Sequence, residues 1–195
     1  MTSHSRAWGT EMSSRQGRPY TRCTFLPASH RPTVPAGVHV YDVSSYADPP
    51  FCTLSPVYAH GGIPIPGLPG RTSDSVEGVW QGLKVIRGKI APQHFRGKGQ
   101  KRGGKPSGHQ YGDRLLDVVE ARLKIYRVAY EWMLENRVDP ALIQTFIDRA
   151  FGGEQQLFHD LGDNGNLHDR TRGWCHAACL VQYLNRRCEE IAREG

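Results

Sequence analysis

The clearest hydrophobic pattern in the chain lies between residues 113 and 137. Apolar and aromatic side chains recur there at nearly every third or fourth position, namely at Leu115, Leu116, Val119, Leu123, Tyr126, Tyr130 and Met133. This spacing places them along one face of an α-helix. The pattern therefore predicts one long helix over residues 113–137, with its apolar face at the centre of the core.

Three further segments carry helix signals. Asp139 followed by Pro140 supplies an N-cap and a first helical residue, which predicts a helix that ends near residue 151. Ser73 or Asp74 supplies the N-cap of a helix that runs to about residue 86. Amphipathic spacing predicts a last helix from residue 171 or 172 to about residue 193.

The strand signals are shorter. Alternating side chains in GVHVYDV, residues 37–43, predict a short strand that is buried on both faces. Residues 51–54 predict a brief edge strand, and residues 156–160 predict a strand that places Asp160 at its end. Together with the helices, these strands predict an α+β fold, a single and mainly helical domain around a small β-sheet.

Composition divides the chain into a tail and a domain. Of its 195 residues 38% are hydrophobic, 22 are glycine and 13 are proline, which favours a loop-rich domain over a fully disordered chain. Residues 1–36 are rich in serine, proline and arginine and lack any helical or strand period. They are predicted to form a flexible, disordered basic tail in front of a domain of residues 37–195.

The net charge of +6 at pH 7 favours partners that carry phosphate, such as a nucleotide, ADP-ribose, DNA or RNA. A basic protein without such a partner has the same charge, and the oligomeric state does not follow from it. Five positive charges lie in one glycine-rich segment that no acid interrupts: Arg96, Lys98, Lys101, Arg102 and Lys105. This segment is predicted to contact phosphate or nucleic acid, with a mobile, solvated loop as the alternative.

The five cysteines are odd in number and form no CxxC motif, which argues against a disulfide framework and favours a reducing compartment. No secretory signal follows Met1, and no apolar stretch is long enough to span a bilayer. These features predict a cytoplasmic protein without a membrane partner. The spacing of Cys175, His176, Cys179 and Cys188 fits core residues better than zinc ligands, so no metal and no cofactor are predicted.

Glu77, Gln81 and Lys84 lie at positions i, i+4 and i+7 of a predicted helix. That spacing stacks a carboxylate, an amide and an amine on one face, an arrangement suited to a sugar, a developing positive charge or an anion. A structural explanation competes with this one. Asp74 and Glu77 are spaced as in a capping box, and an exposed Gln81 and a solvated Lys84 at the helix end complete that explanation.

Two neighbouring segments carry a resemblance to a known family. The two segments are LSPVY and TSDSVEGVWQGLK. The residues that carry the resemblance are Ser55, Pro56, Tyr58, Ser75, Glu77, Gln81 and Lys84. On them the chain resembles the NADAR (YbiA-like) family over about residues 38–190. It looks closest to a group of bacterial and phage proteins within or beside that family. It departs from the family pattern at Gly78, where the family has a histidine, and it lacks the Trp-Gly-rich C-terminal motif.

The resemblance implies a NADAR-like catalytic domain. Such an N-glycosidase cleaves the bond between a base and a ribose in a nucleotide, in ADP-ribosylated guanine or in modified nucleic acid. Cleavage of this kind passes through an oxocarbenium-like state. Glu77 would stabilise that state or orient water, Lys84 would hold a phosphate or form a Schiff base at C1′, and Asp160 would be a second acid or base.

The predicted substrate-binding residues are Tyr58, His60, Trp80, Gln81, Asn164 and Asn166. Gln81 would bind a ribose hydroxyl or a base edge, the asparagines would read polar edges, and Tyr58 and Trp80 would stack on a base, although core packing also explains Trp80. His60 would shuttle protons, with a structural role as its alternative. Two other classes stay open: a non-catalytic protein that binds nucleotide or nucleic acid, and a phage-type DNA base-exchange enzyme.

Overall fold

Helices and small β-sheets alternate along the chain, of which this computed structural model describes residues 18–34 and 37–194. The strands, in chain order, are β1 (Thr24–Phe25), β2 (His39–Asp42), β3 (Ile63–Pro64), β4 (Thr72–Ser73), β5 (Lys84–Val85), β6 (Gly108–Tyr111), β7 (Arg114–Leu116) and β8 (Gln156–His159). The helices are α1 (Val76–Leu83), α2 (Val118–Ala121), α3 (Arg127–Asn136), α4 (Pro140–Phe151) and α5 (His176–Glu194). The predicted combination of helices with small sheets in one domain is confirmed.

A parallel sheet in the order β1–β8–β2 carries the C-terminal strand at its centre. All four residues of β8 are buried, whereas Val40 of β2 is 41% exposed. The strands predicted at residues 37–43 and 156–160 are therefore confirmed. The predicted burial of the first strand on both faces is wrong, because β2 lies at the sheet edge, where fewer elements cover it.

The N-terminal segment contributes to this sheet. Thr24 and Phe25 pair with β8, and Cys23 and Leu26 on either side of them are buried. The amide of Asn185 in α5 fixes the segment further, because its Oδ1 accepts from the N–H of Cys23 at 2.8 Å. The prediction of a flexible tail is thus wrong for residues 18–34. The parts of that prediction on residues 1–17, 35 and 36 lie outside the described residues.

The helix predicted to begin at Ser73 or Asp74 is α1, and its N-cap is Ser75. The Oγ of Ser75 accepts a hydrogen bond from the N–H of Gly78 at 3.0 Å. α1 ends at Leu83 rather than near residue 86, because the backbone becomes extended at the next residue and continues as β5. The antiparallel sheet β5–β6–β7 follows.

The long helix predicted over residues 113–137 begins only at Val118. It runs as α2, a π-helical segment (Arg122–Tyr126) and α3, and we call these three together the central helix. Asp117 caps it with a carboxylate that accepts from two backbone N–H groups at 2.8 and 3.0 Å. The preceding residues form β7, in which Leu115 is exposed and Leu116 is buried, an alternation typical of a strand.

Three other predictions have different outcomes. α4 follows Asp139 and Pro140 as predicted. Residues 51–54, predicted as an edge strand, form a 3₁₀ turn (Phe51–Leu54) after two prolines, and α5 begins four or five residues later than predicted. In the described part of the chain no helix combines the length and apolar character needed to cross a membrane.

Candidate functional site

A cavity of about 650 Å³ opens between α1, the β5–β6–β7 sheet, the start of the central helix and the segment around residue 172. Glu77, Trp80, Gln81 and Lys84 line it together. Its volume lies within the range of small-molecule sites, roughly 300–1,000 Å³. The sequence-predicted helix row therefore faces a space that is large enough for a ligand.

Gln81 holds Glu77 in place. Its Nε2 donates to Oε1 of Glu77 at 2.6 Å, and its Oε1 accepts from the backbone N–H of Arg102 at 3.1 Å. Gln81 is 3% exposed, so the explanation that leaves it in solvent is wrong. Because its oxygen and one amide hydrogen are engaged, Gln81 is placed to position Glu77 more than to contact a ligand.

The capping-box explanation of Glu77 is also wrong. Ser75 is the N-cap, and the carboxylate of Asp74 instead accepts from the N–H of Gly97 at 2.7 Å. The backbone N–H of Glu77 donates to the carbonyl of Pro56 at 2.8 Å, which leaves its side chain to Gln81 and the cavity. Glu77 is thus available for chemistry that a capping residue could not perform.

Lys84 and His109 form a cross-strand pair at the cavity floor. They are direct partners in the antiparallel pairing of β5 with β6, and directly opposed residues project from the same face of a sheet. Lys84 is half-buried, and burial lowers the pKa of its amine, against the effect of Glu77, which raises it. The ammonium makes no hydrogen bond with the described residues, so it is free to meet an anion.

His109 was not predicted from the sequence. It is 2% exposed, and within the described structure neither ring nitrogen has a hydrogen-bond partner. Burial, with a smaller contribution from Lys84, lowers the pKa of the imidazole to about 3, so the ring is neutral at pH 7. Leaving a buried polar group unpaired costs about 1–3 kcal/mol, and few buried polar groups in native proteins are left so.

Aromatic rings surround this histidine. The Trp80 ring lies 3.8 Å from the His109 ring, centroid to centroid, and meets Tyr126 edge-on at 5.6 Å. The Trp174 ring lies 6.0 Å from the Tyr126 ring, centroid to centroid. Trp80 therefore has both predicted roles, because it packs on the core and also lines the cavity.

Arg122 of the central helix also lines the cavity. It is 3% exposed, and its guanidinium donates to three backbone carbonyls, those of Leu167, Asp169 and Arg172, each at 2.6 Å. Arg122 was not predicted from the sequence as a site residue. The available signal was its position on the predicted apolar helix face, four residues before Tyr126, where a charge requires buried partners.

Positive charge dominates the cavity lining. Six cationic side chains lie there, namely Lys84, Lys101, Arg102, Arg122, Arg170 and Arg172, against two carboxylates, Glu77 and Asp117. Asp117 already pairs with Arg170 at 3.0 Å, and Arg172 pairs with Asp169 at 2.8 Å. The excess of cations suits a ligand that carries negative charge.

The predicted phosphate-contact segment is divided between two surfaces. Lys101 and Arg102 line the cavity, and the guanidinium of Arg102 donates to the backbone carbonyls of Gln81 and Lys84 at 3.0 and 2.6 Å. The exposed side chains of Arg96, Lys98 and Lys105 lie outside the cavity, where Arg96 approaches Asp74 at 3.7 Å. Arg102 is therefore first an anchor for the end of α1.

Asp160 does not line the cavity. Its carboxylate accepts from the backbone N–H groups of Gly162 at 2.7 Å and Ala177 at 3.3 Å, and it lies 2.9 Å from Nδ1 of His176. Burial alone would raise its pKa, but the contact with His176 and these N–H groups hold the pKa at about 2. Asp160 thus anchors the start of α5, and the expectation that it joins Glu77 at one site is wrong.

The two predicted asparagines also serve the scaffold. Asn164 is buried, and its Nδ2 donates to the carbonyls of Arg172 and Gly173 at 3.3 and 3.1 Å. Asn166 is exposed and accepts from the N–H of His168 at 2.9 Å. Neither lines the cavity, so the prediction that they read substrate edges is wrong for this site. Asn164 instead shapes the cavity wall indirectly, through residues 172 and 173.

Tyr58 and His60 lie together but away from the cavity. Their ring centroids are 4.7 Å apart, and Nε2 of His60 lies 2.8 Å from the carbonyl oxygen of Thr53. The structure therefore does not bring them to Glu77, and the structural alternative stated for His60 fits its hydrogen bond. Tyr58 is 42% exposed and does not stack beside Trp80.

The cysteines are free, and Cys175, Cys179 and Cys188 are buried in the core. Burial raises the pKa of Cys175 to about 12, so its thiol is protonated at neutral pH. Across residues 18–34 and 37–194, no group of three or more histidine, cysteine, aspartate or glutamate side chains is arranged to hold a metal ion.

Comparison with known protein families gives a match over most of the chain. A family model described as a family of unknown function (DUF6939) covers residues 27–180. The chain belongs to the DUF6939 family. The matched span contains every residue that lines the cavity, from Glu77 to Trp174, so the cavity is part of the DUF6939 domain. No curated protein and no solved structure gives a significant match.

Proposed function

We propose that this DUF6939 protein is an N-glycosidase-like hydrolase with a NADAR-like fold. Its substrate contains a base linked to a ribose, as a nucleotide, as ADP-ribosylated guanine or in modified nucleic acid. One observation carries the proposal: Glu77, held by Gln81, and Lys84 line the same cationic, aromatic cavity. These residues are the ones on which the sequence resembles the NADAR family.

The chemistry assigned to Glu77 follows from its surroundings. Breaking an N-glycosidic bond develops positive charge on the ribose, and a fixed carboxylate beside C1′ stabilises that charge or orients the attacking water. The 2.6 Å hydrogen bond from Gln81 restricts the carboxylate before substrate arrives. Preorganisation of this kind lowers the cost of reaching the transition state.

Lys84 supplies the second group. As an ammonium, Lys84 offsets the negative charge of a phosphate or of the departing base. Its lowered pKa increases the fraction of neutral amine, which is the nucleophilic form. In the covalent variant the amine attacks C1′, and the C1′–N bond breaks with its electron pair going to the base, which takes up a proton. The sugar ring then opens to an imine, which water hydrolyses. Borohydride trapping separates the two roles, since only the imine leaves sugar mass on Lys84.

The residues that carry the NADAR resemblance pack against one another. The carbonyl of Pro56 accepts from Glu77, and the neighbouring Ser55 is buried, so the LSPVY segment braces the start of α1. A Cβ at Gly78 would lie 2.6 Å from Oγ of Ser73 and 2.7 Å from the carbonyl oxygen of His94. This chain therefore has no room for the family histidine, which favours a different mode of base recognition.

The test is base release by purified protein from ADP-ribosylated guanosine, ADP-ribosylated DNA and aminopyrimidine ribotides. Glu77→Gln keeps the size of the side chain and should lower release by about 100-fold or more. Glu135→Gln is the matched control, because Glu135 is exposed on α3 and does not line the cavity. Equal activity of the two variants would remove Glu77 from the mechanism.

Non-catalytic binding of nucleic acid is the second candidate function. The exposed cations Arg96, Lys98 and Lys105 outside the cavity favour it. Its mark is affinity for DNA or RNA that falls steeply with salt and does not change in Glu77→Gln. Removing the three cations together would abolish that affinity while leaving base release unchanged if both activities exist.

A further inference from the structure

The buried imidazole of His109 lacks any hydrogen bond in the described structure and lines the cavity. A neutral imidazole carries one N–H donor and one acceptor nitrogen, so it has two bonds to make. Its strand position fixes it, because His109 pairs with Lys84 on one side and Leu116 on the other. The fold therefore holds an unpaired donor and acceptor at the floor of the cavity.

Trp80 covers this imidazole. Its ring lies 3.8 Å from the His109 ring, and both nitrogens of His109 are inaccessible to water. No hydrogen bond to a described residue holds the indole N–H of Trp80, and the side chain is only partly buried beside about 650 Å³ of open space. Trp80 is thus the member of the pair that borders the open space, and His109 is the member that strand pairing fixes on both sides.

We propose that Trp80 and His109 form the base subsite of this cavity: Trp80 moves aside as an uncharged heterocyclic base enters, and His109 bonds to a polar edge atom of that base. The proposal rests on the proposed function in taking a ribosylated base as the ligand class. Tyr126 and Trp174 supply further aromatic surface beside the base, and the cations supply sites for phosphate.

The same surroundings define what His109 does. Burial and the facing Lys84 keep the ring neutral, and the acids that line the cavity are Glu77 and Asp117. A neutral ring selects a base by its hydrogen-bonding edge and does not supply a proton at pH 7. A site that leaves a buried polar group unpaired rejects ligands without the matching edge, and that rejection gives specificity.

The experiment compares two probes, GMP and ribose 5-phosphate, on the full chain by calorimetry. Wild-type protein should bind GMP about tenfold or more tightly than ribose 5-phosphate, because only GMP carries a base. His109→Phe keeps a ring beside Trp80 but removes both nitrogens, and it should reduce the preference to about threefold or less. His109→Gln should recover part of the preference, and the exposed His168→Phe, outside the cavity, is the matched control.

Two measurements on the wild-type protein do not depend on the folding of any variant. GMP should shift the ¹⁵N resonances of the His109 ring and change the tryptophan fluorescence, while ribose 5-phosphate should do neither. Unchanged His109 resonances at saturating GMP, or failure of GMP to bind, would overturn the subsite. So would an undiminished preference for GMP in folded His109→Phe.

Base release measured in parallel separates this inference from the proposed function. A GMP preference that depends on His109, without base release from any substrate, keeps the subsite and removes the hydrolase. Base release that proceeds in His109→Phe with unchanged KM keeps the hydrolase and removes the subsite.

Discussion

Two regions of this molecule look alike in sequence and differ in structure. Around residue 77 and around residue 160, an acidic side chain is followed by an amide, and both regions were predicted to take part in the site. Glu77 has one side-chain hydrogen bond and lines the cavity. Asp160 is 5% exposed, accepts two backbone hydrogen bonds and contacts His176.

The difference shows what separates a candidate site from scaffold. In the region around Asp160 the polar atoms bond to one another and to the backbone, so little capacity is left for a ligand. In the cavity, Lys84 and His109 keep unused capacity within the described structure. Residue type alone predicts a functional site in both regions. Only the cavity combines open space with polar side chains that have unused hydrogen-bonding capacity.

The largest effect that would sharpen this comparison concerns Lys84. Lys84→Met removes the cavity ammonium and should lower kcat/KM for base release by about 100-fold, the usual cost of losing one charge-stabilising donor. Lys98→Met, in the glycine-rich segment of residues 96–105 (the basic loop), is the control, because Lys98 is exposed; it should remain near wild type. Comparable losses in both variants would mean that general charge, and not the cavity, governs activity.

Asp160→Asn should act on stability. The carboxyl pKa of about 2 lies below its ordinary 3.8, so ionised Asp160 stabilises the fold above pH 4 and that stabilisation is lost as the pH falls toward 2. We expect Asp160→Asn to lower the free energy of unfolding by about 2 kcal/mol at pH 7. Urea unfolding from pH 7 to pH 2 measures it, and the difference from wild type should shrink at the acid end.

The same variant tests the comparison directly. Base release by folded Asp160→Asn, measured below its melting temperature, should stay within about twofold of wild type. Asp160 lies outside the cavity, so its replacement does not change the residues around the reacting atoms. A loss as large as that of Glu77→Gln would return Asp160 to the site.

The buried His109 predicts a loss of stability in a higher pH window than Asp160 does. Its pKa of about 3 lies below the ordinary 6.5, so the unfolded chain takes up the proton first as the pH falls, and stability decreases from about pH 6.5 toward pH 3. Between pH 6.5 and 5.5, wild type should lose about 1 kcal/mol more than His109→Gln. Urea unfolding at the two pH values measures this, and identical losses would contradict a neutral, buried His109.

The smallest expected effects concern the outer face of the basic loop. Replacing Arg96, Lys98 and Lys105 together by alanine should leave GMP affinity within about twofold, because solvent screens exposed charges. Lys101→Ala, which removes a cation from the cavity lining, should weaken GMP by about threefold. Calorimetry at two salt concentrations measures the GMP affinity of both variants. A larger loss of affinity in the triple variant than in Lys101→Ala would place the phosphate outside the cavity.

Local signals predicted much of the fold. The Asp139-Pro140 pair supplies an N-cap and a first helical residue, and it predicted α4 correctly. A short apolar run predicted β8 correctly. Leu115 and Leu116 fit a helix and a strand equally well, and pairing with β6 decides for the strand. β1 could not be recognised in a proline-rich segment, because its pairing partner β8 lies far along the chain.

The candidate site divides in the same way. The spacing of Glu77, Gln81 and Lys84 identified one cavity wall, even though Lys84 lies just beyond the helix. His109 and Arg122 were not identified, because their significance depends on β5–β6 pairing and on carbonyls of the segment 167–172. Contacts between distant segments create both the unpaired imidazole and the buried guanidinium.

The most direct test of the central claim is a crystal structure of the protein with ADP-ribose. We predict the ligand in the cavity of about 650 Å³, with its ribose C1′ beside the Glu77 carboxylate and a phosphate near Lys84 or Lys101. Asp160 should keep its contact with His176 and touch no ligand atom. Ligand bound against Asp160, or only on the outer face of the basic loop while the cavity stays empty, would contradict the account.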